Sequence, residues 1–534
     1  MRLPALAGTA PASSPRWRGP LRLGAAVALL SAFLYAVTLP SFGLVSDEGN
    51  YLESSRRIWG WFDYLAGSLR VGQPLRAFSP EILDETWRWG GERVPHPPFS
   101  REVAGLSGWL FFGRTDPLVA YRLLGTVVAG LLAGAVATWS ALRGGALAGA
   151  AAGLAFVAMP RVFAHAHFAD TDFVLSALFF GALFTAAEAP RAPLLWSGIL
   201  WGLAMATKFS AVLLPLVLLP WLAAFRPERL RELPLFAGAA IVAFVAVNPP
   251  AWGDLPGALN EYLRHALERR DSVTSQLPTF YFGRLYTFRP PWHYPLAMLA
   301  LTTPLGLLLL AGLGFVAAAL QPAFRRAGAM ASAVVAVFLA ALLLPSAPMH
   351  DDIRLFLPIF PFVALLAGLG AAWLAGAARL SSSGSRVPSA LVAILLLCAL
   401  AQPAIATVRL HPFQASYFNA LVGGVGGAHA RGLEVTGMKE VLNREAYRDL
   451  NSILPADAPL DGGPFLYEDL LFAQGAGWLR ADVRVRAAPP AEWVLVVNRR
   501  GWFRTSDLAL FTFGAPVYAV RLEGVPLLAL YRVR

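Results

Sequence analysis

From about residue 21 to residue 406 the chain alternates long apolar runs with shorter polar segments, and beyond 406 that pattern gives way to mixed charge. A helix needs roughly 17 to 25 mostly apolar residues to cross a hydrocarbon core of about 30 Å, fewer where it is broken or re-entrant. Eleven spans are expected on that basis, near 21–40, 118–141, 144–160, 169–187, 192–206, 208–225, 235–249, 293–319, 328–346, 353–377 and 387–406. Those near 144, 192 and 235 are short for a full crossing. Two long polar interruptions, 41–117 and 249–292, carry amphipathic stretches, and Trp59, Trp61, Trp87 and Trp89 suit an interfacial belt. The segment 407–534 reads as a small α/β module. It has β-like runs at Trp493–Val497, Leu508–Phe513 and Pro526–Tyr531 and a helix-like stretch over Met438–Leu454.

Composition strengthens this reading. The 534 residues are 57% hydrophobic and 14% charged, with a mean hydropathy of +0.55, far from the roughly 25% charged residues of a soluble protein. The net charge of +11 comes from basic residues dispersed among short loops, which argues against a nucleic-acid partner. Arg16, Arg18 and Arg22 precede the first span. Alternate loops then carry Arg143, Arg191, Arg226 with Arg229 and Arg231, Arg325 with Arg326, and Arg379 with Arg386. The positive-inside bias therefore puts residues 1–20 in the cytoplasm. The first span is expected to be a retained anchor, because no A-x-A cleavage site follows it. With an odd number of spans, the module 407–534 and the loops 41–117 and 249–292 face outward. Cys398 is the single cysteine, so no internal disulfide forms.

The unusual polar residues gather on that outer side. They are Asp47 and Glu48 with Tyr51, His96 before two prolines, His165, His167, Asp170 and Asp172, Lys208, and His350, Asp351, Asp352 and Arg354. Ionisable groups beside a bilayer face a cavity or a partner, since lipid exposure is costly. Each has a simpler use as well. The acidic pair and His350-Asp351-Asp352 suit helix caps, His96 suits a pre-proline turn, and Lys208 can snorkel to headgroups. His165-x-His167 with Asp170 and Asp172 has metal-ligand chemistry, but short clusters of this kind also anchor interfaces. No metal and no cofactor is expected.

Several motifs together carry a resemblance. They are Asp47-Glu48 followed by Tyr51, His96-Pro97-Pro98, Arg122-Leu123-Leu124-Gly125, Asp172 at a span start, Gly202-Leu203-Ala204 leading to Thr207-Lys208, and Arg354-Leu355-Phe356-Leu357-Pro358. In order and spacing they resemble the GT-C glycosyltransferases of the family that holds protein O-mannosyltransferases and lipid A aminoarabinose transferases (glycosyltransferase family 39-like). The stretch from His411-Pro412 through Tyr417-Phe418-Asn419 to Gly426-Gly427-Ala428 is similar to bacterial members with a C-terminal periplasmic domain. Many relatives carry arginine where this chain has Gly49-Asn50, and several carry lysine in place of His96.

The resemblance implies a GT-C domain over 21–406 and a sugar donor linked to a polyprenyl phosphate. The acceptor would be a glycan, lipid or protein outside the cytoplasmic membrane. Such a transfer needs a base for the acceptor proton and cations for the departing phosphate. By analogy Asp47 is the base, with Glu48 and Asp172 as further catalytic carboxylates that orient the acceptor or a cationic partner. Lys208, Arg354, His96 and Arg270 are the phosphate-binding candidates. Tyr51, His165, His167, Asp170, His350, Asp351 and Asp352 form a polar cluster serving the acceptor or the structure. Two other readings stay open: a transporter or flippase with buried charges along its pathway, and a partner-binding protein without chemistry.

Overall fold

The computed structural model describes residues 15–45, 47–88, 96–267, 277–287, 289–344, 347, 349–381 and 387–533. Among them, six helices are long and apolar enough to cross a membrane: Trp17–Ser41, Pro117–Ala158, Thr171–Glu188, Pro322–Leu343, Arg354–Ala378 and Ser389–Arg409. A seventh crossing is a bent pair, Tyr294–Thr302 and Leu305–Leu320, angled by 112°. Pro304 lies in the break, where it removes a backbone donor. Pro193–Met205 and Leu233–Ala246 are apolar but shorter.

Pro117–Ala158 is two helices. Gly145 interrupts it at φ 78°, a left-handed conformation that a side chain would strain. A Cβ on Gly149 would lie 2.7 Å from the Ala141 Cβ and 2.8 Å from the Ala137 carbonyl oxygen. In a straight helix residues 137 and 149 would be about 18 Å apart. The chain therefore turns back on itself at Gly144-Gly145, close to the expected break between residues 141 and 144. Small residues let the neighbouring helix Pro15–Thr38 approach closely: a Cβ on Gly130 would meet the Ala28 carbonyl oxygen at 2.6 Å. Such contacts suit helices that pack without a hydrophobic driving force.

The segment between the first two spans folds into the helices Glu48–Arg70, Pro80–Thr86 and Phe99–Phe111. Here the expected aromatic belt is corrected. Trp61 and Trp87 are fully buried in a small core with Ile58 and Ala77, and the Trp61 indole donates to the Ala77 carbonyl at 2.7 Å. The Trp61 N–H thus finds a protein acceptor and has no need of the headgroup region, while Trp87 is held by edge contacts with Trp61 and Phe62. Trp59 stacks on Trp109 at 5.6 Å, and Trp89 lies outside the described residues. Farther along, β1 (Thr279–Tyr281) and β2 (Arg284–Tyr286) form a hairpin. The Gly283 N–H donates to the Gly432 carbonyl at 3.0 Å, which ties this loop to the C-terminal module.

The C-terminal module holds β3 (Pro459–Asp461), β4 (Arg484–Arg486), β5 (Trp493–Val497), β6 (Tyr518–Leu522) and β7 (Val525–Arg532), in the order β4-β3-β5-β7-β6. β3 runs parallel to β4 and β5, and β7 runs antiparallel to β5 and β6. The unbroken apolar run of β5 is buried throughout, as expected for a strand covered on both faces. One expected strand is corrected: Leu508–Phe513 belongs to the helix Thr505–Phe513. The Asp507 carboxylate accepts from the Arg504 backbone N–H at 3.0 Å and from its guanidinium at 2.8 and 2.9 Å. That cap commits a short apolar run to helix. The expected helix over Met438–Leu454 is the shorter Arg444–Ile453, capped by Asn443.

Candidate active site

The site is built where the helix Glu48–Arg70 begins. Asp47 is its N-cap residue but makes no capping bond, so its carboxylate turns outward and stays half exposed. Glu48 does the opposite. One of its oxygens accepts from Arg122 Nε at 2.7 Å and the Ala169 N–H at 2.8 Å, the other from Arg122 Nη2 at 2.5 Å and the Val45 N–H at 3.2 Å. Arg122 spends its remaining donors on the carbonyls of Phe42 and Gly43 at 3.1 and 2.7 Å. Both side chains are buried. This bidentate pair clamps the loop that presents Asp47. Gly43 in that loop abuts the C-terminal module, since a Cβ there would sit 2.8 Å from the Asn443 nitrogen.

Behind Asp47 lies Arg354, at the start of a 3-10 turn that leads into the helix Phe360–Ser381. Its guanidinium donates to Asp47 at 2.8 Å, Asp172 at 2.9 Å, Asp351 at 3.3 Å and the Tyr51 hydroxyl at 3.5 Å. The other oxygen of Asp172 binds Lys208 Nζ. Asp172 thus joins the two cations, and its side chain is fully buried. Asp170 caps the helix Thr171–Glu188 by accepting from the N–H groups of Asp172 and Phe173, which fixes where Asp172 points.

Asp351 and Asp352 are consecutive residues at φ 54° and 55°. Left-handed non-glycine residues cost of order 1–3 kcal/mol each and persist where their surroundings hold them. Arg499 of the C-terminal module binds Asp351, and Arg161 donates to Asp352 at 2.8 Å. Burial opposes ionisation of Asp351, but Arg499, His350 and Arg354 outweigh it and hold its carboxyl well below the usual range. Tyr51 is pushed well above an ordinary phenol by burial and by Asp47. It is a neutral hydroxyl at any working pH.

A cavity of about 540 Å³ opens in front of Asp47. Asp47, Asn50 and Asp351 line one side, and Lys439, Phe465, Asp469, Arg499 and Trp502 of the C-terminal module line the other. Lys439 donates to Asp469 at 2.6 Å and lies 4.6 Å from the Phe465 ring centroid, while Trp502 stacks on the same ring at 5.0 Å. Burial and the nearby Glu434 carboxylate's neighbours also matter in this module: burial pushes Glu434 up to about 7, partly opposed by Arg499.

The structure therefore brings together Asp47, Tyr51, Asp172, Lys208, Asp351 and Arg354, with His350 at 3.1 Å from Asp351. Other candidates have different partners. His167 bonds Thr38 Oγ1 at 2.8 Å and the Phe163 carbonyl at 2.7 Å, and burial pushes it down to about 3. His165 pairs loosely with Asp170 at 3.6 Å. His96 is buried against Phe209, 5.5 Å between ring centroids, and its carbonyl accepts from Arg101 at 2.6 Å. Arg270 lies outside the described residues. Among the described residues, no group of three or more His, Cys, Asp or Glu side chains is placed to hold a metal ion.

Arg122, Lys439 and Arg499 complete the arrangement without having been singled out as functional. Signals existed for all three. Arg122 opens one of the motifs that carry the resemblance. Lys439 is one of only two lysines in the chain, and Arg499-Arg500 follows the apolar run of β5 after a single residue, Asn498.

The fold has counterparts among solved structures. ArnT from Cupriavidus metallidurans bound to undecaprenyl phosphate is 18% identical, with a TM-score of 0.50 over 97% of this chain and 98% of that one. The apo state of the same protein is also 18% identical, with a TM-score of 0.51 over 96% and 97%. The chain has the GT-C fold. No family model matches the sequence, and no curated protein matches it. With this fold and its apolar helices, the chain is a multi-pass membrane protein.

Proposed function

We propose that this protein is an inverting glycosyltransferase that moves a monosaccharide from a polyprenyl-phosphate donor to an acceptor at the outer face of the cytoplasmic membrane. The observation that carries the reading is the pairing of a half-exposed carboxylate that lines a cavity, Asp47, with a buried guanidinium behind it, Arg354. ArnT, which shares the fold, has been solved with undecaprenyl phosphate. In this reading 21–406 is the catalytic membrane domain, and 407–534 lies outside the membrane as a periplasmic domain.

The chemistry follows from the residues. Asp47 accepts the proton of the acceptor hydroxyl or amine as its heteroatom forms a bond to the anomeric carbon. The bond from that carbon to the phosphate oxygen breaks on the opposite face, and the electron pair leaves with the phosphate. A phosphate leaving group needs positive charge more than a proton, and Arg354 with Lys208 supplies it. At rest Asp47 occupies one nitrogen of Arg354. An arriving phosphate competes for that nitrogen and frees Asp47 to act as base. Asp172 then serves as a positioning residue that holds both cations, and Glu48 as a structural partner of Arg122.

The test is transfer itself. Purified protein would be given a panel of radiolabelled polyprenyl-phosphate monosaccharides with membrane extract as acceptor, and the anomeric configuration of the product determined. Transfer with inversion supports the proposal. Retention of configuration, or no turnover with any donor, sinks it and moves the weight to transport.

A further inference from the structure

A second cavity, of about 600 Å³, shares no lining residue with the one at Asp47. One wall is the helix Val387–Arg409, through Cys398, Ala401, Gln402, Ile405 and Arg409. Spacings of three and four residues put these on one face. The other wall is the segment after that helix, from Tyr417 to Val425, together with Glu523 at the tip of the β6–β7 hairpin. This second wall is held firmly. The Asn419 amide donates to the carbonyls of Ala300 and Thr303 at 2.6 and 2.7 Å, and its oxygen accepts from the Leu421 N–H at 3.0 Å.

The cleft is apolar at one end and charged at the other. Cys398, Ala401 and Ile405 are three residues of an apolar helix, whereas Arg409 ends it. Arg409 is exposed, and among the described residues its guanidinium has no hydrogen bond or ion pair. Glu523 offers a carboxylate to the same cleft, with one oxygen accepting from the Val425 N–H at 3.0 Å. Eleven helical steps separate Cys398 from Arg409, about 16 Å of rise. That is about half of a 30 Å hydrocarbon core, the depth of one leaflet.

We propose that this cleft is a binding site for a glycerophospholipid with a primary-amine headgroup, the phosphodiester on Arg409, the ammonium on Glu523 and an acyl chain along the face from Ile405 to Cys398. One guanidinium and one carboxylate match a zwitterion, and a single-leaflet depth matches an acyl chain. The lipid would join the last membrane helix to the β6–β7 hairpin and so seat the C-terminal module. The inference does not depend on the proposed reaction.

Cys398 is exposed and is the single cysteine, so its alkylation rate reports occupancy of the cleft. The full-length protein would be delipidated in detergent and labelled with N-ethylmaleimide in the presence of phosphatidylethanolamine, phosphatidylcholine, phosphatidylglycerol or undecaprenyl phosphate. Phosphatidylethanolamine is expected to slow labelling at least about fivefold and the other lipids less than about twofold, with Arg409→Gln and Glu523→Gln each removing the effect. Equal protection by all phospholipids overturns the proposal, as does protection by phosphatidylglycerol that survives Glu523→Gln. Stronger protection by undecaprenyl phosphate also overturns it and gives the cleft to the donor lipid. The lipid series on the unaltered protein decides the matter even if a variant fails to fold.

Discussion

Replacing Glu48 with glutamine separates a structural carboxylate from a catalytic one. The substitution keeps the shape of the side chain and removes its charge, leaving Arg122 buried beside a neutral amide. Four hydrogen bonds converge on Glu48, two of them from Arg122. An amide nitrogen cannot accept, so two of these four contacts are lost and both set donor against donor. Removing one partner of a buried ion pair costs about 3–5 kcal/mol. At about 1.4 kcal/mol per tenfold, that is a loss of roughly two to three and a half powers of ten in the folded-to-unfolded ratio.

The assay is equilibrium unfolding in mixed micelles followed by tryptophan fluorescence, on Glu48→Gln, Arg122→Met and the double variant. The double variant should cost less than the sum of the singles by at least about 2 kcal/mol, because no charge is left stranded. Full stability of Glu48→Gln with activity abolished would refute the reasoning and return Glu48 to the catalytic carboxylates.

Three further outcomes are expected. Gly43→Ala should destabilise the protein by about 1–3 kcal/mol, since its Cβ would press on the backbone at Leu442 and Asn443; unchanged unfolding would mean that the module does not pack against this loop. Arg354→Lys should fold but lose about 10²–10³ in transfer rate, because an ammonium cannot serve Asp47, Asp172, Asp351 and Tyr51 together; a rate within threefold of the original would contradict the role of the guanidinium. Glu434 should make stability fall with pH. Its carboxyl rises from 4.5 to about 7 on folding, so the folded state holds the extra proton, and its contribution is complete below 4.5 and lost as pH climbs through 7. The span of about 2.5 units corresponds to roughly 3 kcal/mol, and Glu434→Gln should flatten that slope; an unchanged slope would assign it to other groups.

Much of the membrane layer was legible in the chain because apolar length is set by bilayer thickness, and even the reversal near residue 144 shows as paired glycines between apolar runs. What failed was local. Leu508–Phe513 has the apolar content of a strand, and only the Arg504–Asp507 contact decides for helix. Trp61 and Trp87 have the residue type of an interfacial belt, and only tertiary packing buries them. The same holds for the site. Asp47, Asp172, Lys208 and Arg354 could be picked out singly as costly charges near a membrane, whereas the pairing of Glu48 with Arg122, 74 residues away, has no local signature. Arg499 meets Asp351 across 148 residues. Such partners emerge only when the C-terminal module is docked.

The central claim is that Asp47 is the base and Arg354 a phosphate ligand that Asp47 occupies at rest. Transfer and donor binding should be measured together on the wild-type protein and Asp47→Asn, with a radiolabelled polyprenyl-phosphate sugar. Removing the carboxylate takes away the base and at the same time unburdens Arg354. Turnover should fall by about 10²–10⁴, while the donor binds as tightly as before or more tightly. Undiminished turnover in Asp47→Asn would contradict the account, and so would loss of donor binding in step with loss of turnover.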